Sequence, residues 1–204
     1  LLPENEIIVL SENEDILDNN MIGEICAYGP NIMKSYHKKP EENKKSFLFK
    51  NGKRYFRTGD MGYLDSENRL YIKGRIKEQY KLENGKFVVP TVLEDAIITS
   101  PYIKQIMIYG ENKPYNIAIV VPNYEILDEN LKNDKNKLNQ LFQKEINLYL
   151  QKKNTKSYEI PKDIIILSEE FSLSNGLLTP KMSIKRNKVV QKYSDIINNT
   201  YLNK

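Results

Sequence analysis

Three short segments carry residue types whose spacing could do chemistry. The first is Tyr55-Phe56-Arg57-Thr58-Gly59-Asp60-Met61-Gly62. Two glycines bracket one carboxylate between two predicted strands, and glycine permits unusual backbone angles and close approach of a ligand. A carboxylate held there can accept two hydrogen bonds from a vicinal diol such as that of ribose. The same residues also describe a tight turn capped by Asp60. The second segment is Gly74-Arg75-Ile76-Lys77-Glu78, followed by Lys81-Leu82-Glu83-Asn84-Gly85-Lys86. Arg75 and Lys77, two apart on an extended chain, project to one side. They could meet a phosphate, or water. The third is Asn175-Gly176-Leu177-Leu178-Thr179-Pro180-Lys181-Met182-Ser183-Ile184-Lys185-Arg186. It carries three cations toward a final helix. Lysine there could neutralise charge on a reacting phosphate, and a flexible basic loop is the plainer account.

Composition narrows the chemistry by exclusion. With one cysteine (Cys26) and one histidine (His37), the chain can form no intrachain disulfide and no Cys/His zinc site. The two flank a Gly-Pro turn with no third partner evident, which disfavours a Cys-His nucleophile pair. No glycine-rich phosphate loop of either common kind is present. Apolar runs such as Ile117 to Val121 are far too short to span a bilayer. The formal charge is +4, with the lysines spread along the chain and no aromatic-interleaved stripe, so a nucleic-acid module is disfavoured. At 204 residues the chain can bury a real core in one large or two small units. It begins at Leu1 rather than Met, which fits a piece of a longer protein and makes the lack of a visible signal peptide uninformative.

The elements that must position these residues follow from periodicity and turn chemistry. Strands are predicted at Ile7 to Leu10 and Gly23 to Tyr28, the latter closed by Gly29-Pro30-Asn31 and holding Cys26 buried. Pro40 opens a short helix. Tyr55 to Arg57, Met61 to Leu64 and Arg69 to Lys73 read as short strands, the last two a hairpin about Asp65-Ser66-Glu67-Asn68. A small hairpin is expected around Asn84-Gly85. Pro90 starts a helix to about Thr99 with Val92, Leu93, Ala96 and Ile97 on one face. Strands follow at Ile103 to Tyr109 and Asn116 to Val121, a helix at Asp134 to Lys152, a strand at Asp163 to Ser168, and one helix from Arg186 to Leu202. The fold class is α+β. A β-rich unit over 1–75, read as the end of a larger domain with distorted-barrel character, precedes a mixed-sheet α+β unit over 76–204.

The order Gly23-Glu24-Ile25, Gly29 to Tyr36, Tyr55 to Asp60, Gly74-Arg75, Gly85 and Leu178-Thr179-Pro180 resembles the adenylate-forming superfamily. Lys81 to Glu94 and Phe171 to Arg186 are similar to long-chain fatty acyl-CoA synthetases. The resemblance covers nearly the whole chain and is specific because several uncommon motifs recur in one order. It implies that a fatty acid carboxylate attacks the α-phosphate of ATP, giving acyl-adenylate and pyrophosphate, and that the thiol of CoA then attacks the acyl carbon. It implies a small carboxy-terminal domain that swings between the two steps. By position, Asp60 would hold the ribose hydroxyls and Arg75 the ribose or phosphate region. Lys77 would be the hinge residue, and Gly85 would lie where a side chain would block the pantetheine channel. ATP, CoA and Mg2+ are the implied cofactors, with the magnesium ligands, the phosphate loop and the acid tunnel outside this chain. The implied partners are fatty acid, ATP, CoA, an amino-terminal domain and a membrane surface met peripherally, with no nucleic acid. The implied setting is the cytoplasm, including the cytosolic face of endomembranes. On this resemblance the isolated chain should lack synthetase activity.

One departure stands out. The position where the family carries its catalytic lysine is Ser183. Lys181 and Lys185 lie two residues to either side, about 6.6 Å along an extended strand and on the same face. Either a neighbouring lysine substitutes, with Lys181 preferred over Lys185, or adenylation is weak, or the motif aligns in another register. Two further readings stand beside this one: a ligase for a shorter or aryl acid, and a non-catalytic paralogue that binds nucleotide or acyl-adenylate.

Overall fold

The computed structural model describes residues 3–152 and 155–202. The chain divides into two units, Leu1–Gln79 and Tyr80–Lys204. The sequence placed this division between residues 75 and 76. Ile76–Glu78 forms a 3-10 turn that stays with the first unit.

The first unit is an antiparallel sheet built on one long strand. Its elements are β1 (Glu6–Leu10), β2 (Gly23–Tyr28), helix α1 (Pro40–Ser46), β3 (Phe47–Lys50), β4 (Lys53–Leu64) and β5 (Leu70–Arg75). Strand β2 pairs along one edge of β4, with β1 outside it, while β3 and β5 share the other edge. Ile8, Leu10, Cys26, Leu48 and Tyr55 make the core. The Tyr55 hydroxyl donates to Glu6, which satisfies the one polar atom that a buried tyrosine brings.

Two expectations change here. Tyr55 to Arg57 and Met61 to Leu64 are not separate strands about a turn; they are the two halves of β4. Between them the pairing with β2 jumps, so that Cys26 opposes Arg57 while Glu24 opposes Met61. Thr58, Gly59 and Asp60 therefore bulge out opposite the single residue Ile25. Gly59 takes the left-handed φ of 71° that a bulge favours in glycine. Strand β3 was not foreseen, although Asn51-Gly52 signals it. Both residues have positive φ, 49° and 74°, the requirement of a two-residue hairpin turn.

The second unit is a three-stranded mixed sheet with helices on both faces, beside a two-stranded ribbon. The ribbon pairs β6 (Tyr80–Lys81) with β7 (Phe87–Val88). In the sheet, β9 (Ile117–Pro122) lies between antiparallel β8 (Ile103–Tyr109) and parallel β10 (Asp163–Ile166). Every residue of β9 is buried, as a central strand covered on both faces requires. Side-chain alternation then sorts two cores. Ile106, Ile108, Ala118 and Val120 pack with helix α2 (Pro90–Ile97) and with the later helix Lys135–Gln151. Met107, Ile117, Ile119 and Val121 pack with Val189 and Ile197 near the chain's end. A short helix α3 (Glu129–Lys132) precedes α4, the helix Lys135–Gln151, whose N-cap Asp134 accepts from the amides of Asn136 and Lys137.

The predicted single helix from Arg186 to Leu202 is instead two, α5 (Arg186–Lys192) and α6 (Ser194–Leu202). Tyr193 has φ −107° and ψ 20°, outside helical values. In the second of these helices Ile197 is buried and Ile196 is 48% exposed.

Candidate functional site

The bulge in β4 explains why the motif Arg57-Thr58-Gly59-Asp60 can serve a ligand from inside a sheet. Residues on a bulge leave the ladder and re-aim their side chains. Thr58 closes the gap: its hydroxyl donates to the Ile25 carbonyl at 2.8 Å and accepts from the Asp60 amide at 3.0 Å. The carboxylate of Asp60 is thereby set on a backbone that is itself hydrogen-bonded. Its cross-strand neighbour is Arg75, whose Nε donates to Asp60 Oδ1 at 2.7 Å. This bond, ahead of the charge attraction, holds the Arg75 guanidinium above its usual range. The pair is partly exposed, at 30% for Asp60 and 60% for Arg75, so its contribution to stability is small. It leaves Asp60 Oδ2 and the remaining guanidinium N–H groups for other partners.

A cleft of about 530 Å³ opens beside the bulge, lined by residues that include Tyr36, Arg57, Thr58, Gly59, Arg75 and Lys77. Arg57 is fixed by three contacts, with its Nε and Nη2 on Glu24 Oε2 at 2.9 and 2.5 Å and its Nη1 on Glu14 at 2.7 Å. The bond to Glu24 is the main cause of the guanidinium's raised pKa. Arg57 therefore locks β2 to β4 beside the bulge. Glu24 and Thr58 stand in motifs quoted from the sequence, but neither was assigned a role there. A carboxylate inside the apolar run Gly23 to Tyr28 was the available signal, because a charge in a buried strand needs a partner.

The other sequence-predicted residues are distributed as follows. Asp60, Arg75 and Lys77 belong to the first unit; Gly85, Lys181 and Lys185 belong to the second. Lys77 is exposed in the 3-10 turn, two residues before the division of the chain. Gly85 sits in the turn of the β6–β7 ribbon, where its amide donates to Leu82 O at 2.9 Å. Its φ is +78° and a Cβ would meet nothing within 4 Å, so glycine is favoured by backbone conformation and not by local crowding.

Lys181 and Lys185 do not lie on one extended strand. Leu178 pairs with Ile184, Thr179 N donates to Ser183 O at 2.8 Å, and Met182 N donates back to Thr179 O at 2.8 Å. The chain reverses through Met182, whose φ is 63°. Lys181 is thus at the tip of a tight hairpin and Lys185 at the N-cap of α5. The same-face relation expected from a two-residue spacing fails because the backbone turns between them. At the foot of this hairpin, Arg186 donates to the Ile108 carbonyl and to Glu94. Glu94 also accepts from the Ile108 amide at 2.6 Å. Burial pushes the Glu94 carboxyl up, while Arg186 acts in the opposite direction. Glu94, read from the sequence only as the end of a motif, anchors the loop that carries both lysines.

Among the described residues no group of three or more His, Cys, Asp or Glu side chains could hold a metal ion. No helix among the described residues is long and apolar enough to cross a membrane.

Comparison with known proteins gives these parts a family. Residues 77–204 match the AMP-binding enzyme C-terminal domain family. Fatty acyl-CoA synthetase B of Dictyostelium discoideum is 34% identical over 97% of this chain and 31% of its own length. Long-chain-fatty-acid–CoA ligase 5 of Rattus norvegicus is 34% identical over 92% of this chain and 30% of its own length. The chain thus spans about a third of the curated relatives it matches. Among solved structures, the adenylation domain of a carboxylate reductase from Mycobacterium chelonae superposes with a TM-score of 0.79 at 27% identity, over 98% of this chain and 31% of that one. The A-PCP didomain of a carboxylic acid reductase from Segniliparus rugosus, solved with AMP, gives 0.79 at 28% identity over 97% and 27%. An antiparallel sheet with the bulged Arg-Thr-Gly-Asp strand, followed by a mixed-sheet unit whose lysine hairpin leads into two final helices, therefore belongs to the AMP-binding enzyme C-terminal domain family of the adenylate-forming superfamily.

Proposed function

We propose that the chain is the carboxy-terminal part of an ATP-dependent long-chain fatty acid–CoA ligase that works through an acyl-adenylate in the cytoplasm. The observation that carries the reading is the Asp60–Arg75 pair, set by the β4 bulge, with Arg75 lining the adjoining cleft. In this reading Asp60 accepts the two ribose hydroxyls of ATP. A vicinal diol and a carboxylate match in spacing and in donor–acceptor sense. Arg75 gives up part of its bond to Asp60 and turns its other N–H groups to the nucleotide. The substrate carboxylate attacks the α-phosphorus and pyrophosphate leaves. Negative charge grows on the phosphoryl oxygens, and Lys181 supplies the compensating cation, with Lys185 behind it. Lys77 absorbs the torsional change between the steps. Gly85 keeps the approach of the CoA thiol clear for attack on the acyl carbon, where the new C–S bond replaces the C–O bond to AMP and AMP leaves.

The fatty acid class is supported by relatives named as fatty acyl-CoA synthetases and long-chain-fatty-acid–CoA ligases. The test uses the polypeptide that carries this chain and follows two readouts, ATP–pyrophosphate exchange and thioester formation from palmitate. Asp60→Ala should depress both, by about a hundredfold in exchange. Gly85→Leu should spare exchange and depress the thioester step. Equal loss of both steps in Gly85→Leu would sink the assignment of Gly85.

A second reading rests on Ser183, which stands where the family's lysine belongs. There the chain binds nucleotide without adenylating. Exchange activity that is absent in the parent and appears in Ser183→Lys would select it. Parent activity that is lost in Lys181→Ala selects the first.

A further inference from the structure

The lysines are spread along the chain, but the net positive charge sits in one block of the first unit. Residues 34–54 contain eight lysines and arginines against two carboxylates, a balance of +6. The whole chain carries +4, so the remainder, with 23 cations and 25 carboxylates, is at −2. The block is also contiguous in space. Tyr36 and Asn43 exchange two hydrogen bonds, at 2.7 and 3.0 Å, which tie the loop before α1 to that helix. Helix α1 runs directly into β3, and Arg54 returns to the loop by donating to Lys34 O at 2.6 Å. Arg54 also lies over the Phe47 ring, 3.6 Å from its centroid. Among the described residues, the ion pairs of the block are Lys44 with Glu41 and Lys53 with Glu6.

The apolar side chains of the block are just as uneven. Phe47 is buried, yet Phe49, two residues on in the same strand, is 73% exposed. It stands near the tip of the β3–β4 hairpin, opposite Arg54, with Lys50 facing Lys53 across the turn. Like charges opposed across a ladder destabilise the pair, and a bare phenyl ring in water gains nothing. Contacts among the described residues account for neither feature. A surface that is anionic outside and apolar beneath would answer both. Lysine stems span the headgroup layer while their ammonium groups meet lipid phosphates and carboxylates, and one aromatic ring enters the boundary below.

We propose that the Lys34–Arg54 block docks on the surface of an anionic phospholipid bilayer, with Phe49 as its inserted residue. A single ring and exposed lysines make the attachment reversible. It would hold the protein where long acyl chains are dissolved. A nucleic acid would also attract the cations, but it gives no reason for one phenyl ring to project beyond them.

The experiment is co-sedimentation of the chain with phosphatidylcholine vesicles, with and without phosphatidylserine, at low and raised salt. The expected result is binding that requires phosphatidylserine and weakens with salt. Lys38→Gln, Lys39→Gln and Lys50→Gln together should lower it by about fivefold per cation, on the order of a hundredfold in all. Phe49→Ser should lower it about tenfold and leave the salt dependence unchanged. Each of these side chains is exposed or half-exposed, so thermal unfolding should match the parent. Equal binding to neutral vesicles, or undiminished binding by both variants, overturns the proposal. So does a loss confined to titrations with single-stranded RNA, which would make the block a nucleic-acid surface. The assay holds no nucleotide and no fatty acid, so failure here leaves the ligase reading intact.

Discussion

Replacing Arg186 by leucine tests the claim that a buried ion pair anchors the lysine hairpin. Glu94 is nearly inaccessible, and its two oxygens are taken by Arg186 and by the Ile108 amide. Removing the guanidinium leaves a carboxylate in an apolar surround with one hydrogen bond. Breaking a fully buried pair in this way costs about 3–5 kcal/mol. The Arg186 side chain is 24% exposed, so water can reach the site and the lower end applies, about 3 kcal/mol. With a urea slope of about 2 kcal/mol per molar, the midpoint should fall by about 1.5 M. The pH sign is fixed by the same geometry. In the variant the Glu94 carboxyl is raised by burial with no arginine to oppose it, so the native state holds its proton more tightly than the unfolded chain. Stability should therefore be greatest below the ordinary carboxylate pKa and decline as pH rises through the raised native value. The deficit relative to the parent should be smaller at about pH 5 than at about pH 8. Urea melts by circular dichroism, with exchange of the Ile108 amide as a local reporter, give both numbers. Adding Glu94→Leu to the variant removes the orphaned charge and should recover most of the loss. A midpoint shift below about 0.5 M that is the same at both pH values would refute the buried-pair argument.

Two further outcomes follow from the first unit. A Cβ on Gly62 would lie 2.2 Å from the Tyr71 carbonyl and 2.8 Å from Ile25 Cδ1, so Gly62→Ala must push β4 and β5 apart. It should cost about 2 kcal/mol or more, read as a lowered melting temperature. Cys26 is fully buried, and its thiol is pushed up to about 12, chiefly by burial and then by Glu24. It should resist a disulfide reagent in the native state at pH 8, about the pKa of a free thiol, and react only at the rate of unfolding. Rapid labelling of the folded chain would contradict the burial.

Much of the scaffold was readable because its determinants are local. Pro90 with Leu93, Ala96 and Ile97 fixes α2, and the all-apolar run from Ile117 fixes the central strand. The small ribbon about Asn84-Gly85 follows from turn chemistry alone. What escaped was set by contacts distant in sequence. Residues Arg57 to Met61 look like a turn, since glycine and aspartate disfavour strands. They remain in β4 because Glu24 and Ile25, more than 30 residues earlier, supply partners for Arg57 and Thr58. The break at Tyr193 has no Gly or Pro to announce it. The reversal at Met182 is hidden for a related reason: methionine seldom takes a positive φ, and only the closing bonds from Thr179 to Ser183 hold it there.

These two exceptions bear on how charge could be delivered to a phosphate. Asp60 and Arg75 are positioned by a ladder, a bulge and a bond between them, so little ordering remains when a ligand arrives. Lys181 is placed differently. Its backbone is held by a closed hairpin, but its side chain is exposed, and bringing it onto a phosphoryl oxygen costs about 1.5–2 kcal/mol of rotamer freedom. A lysine at position 183 would start from the strand-paired side of the hairpin, next to Ile184, and not from its tip. Under the ligase reading, the parent should therefore adenylate more slowly than Ser183→Lys by roughly ten- to thirtyfold, the equivalent of that entropy. A parent that is as fast as Ser183→Lys would mean that Lys181 is already preorganised, which the exposed hairpin tip gives no reason to expect.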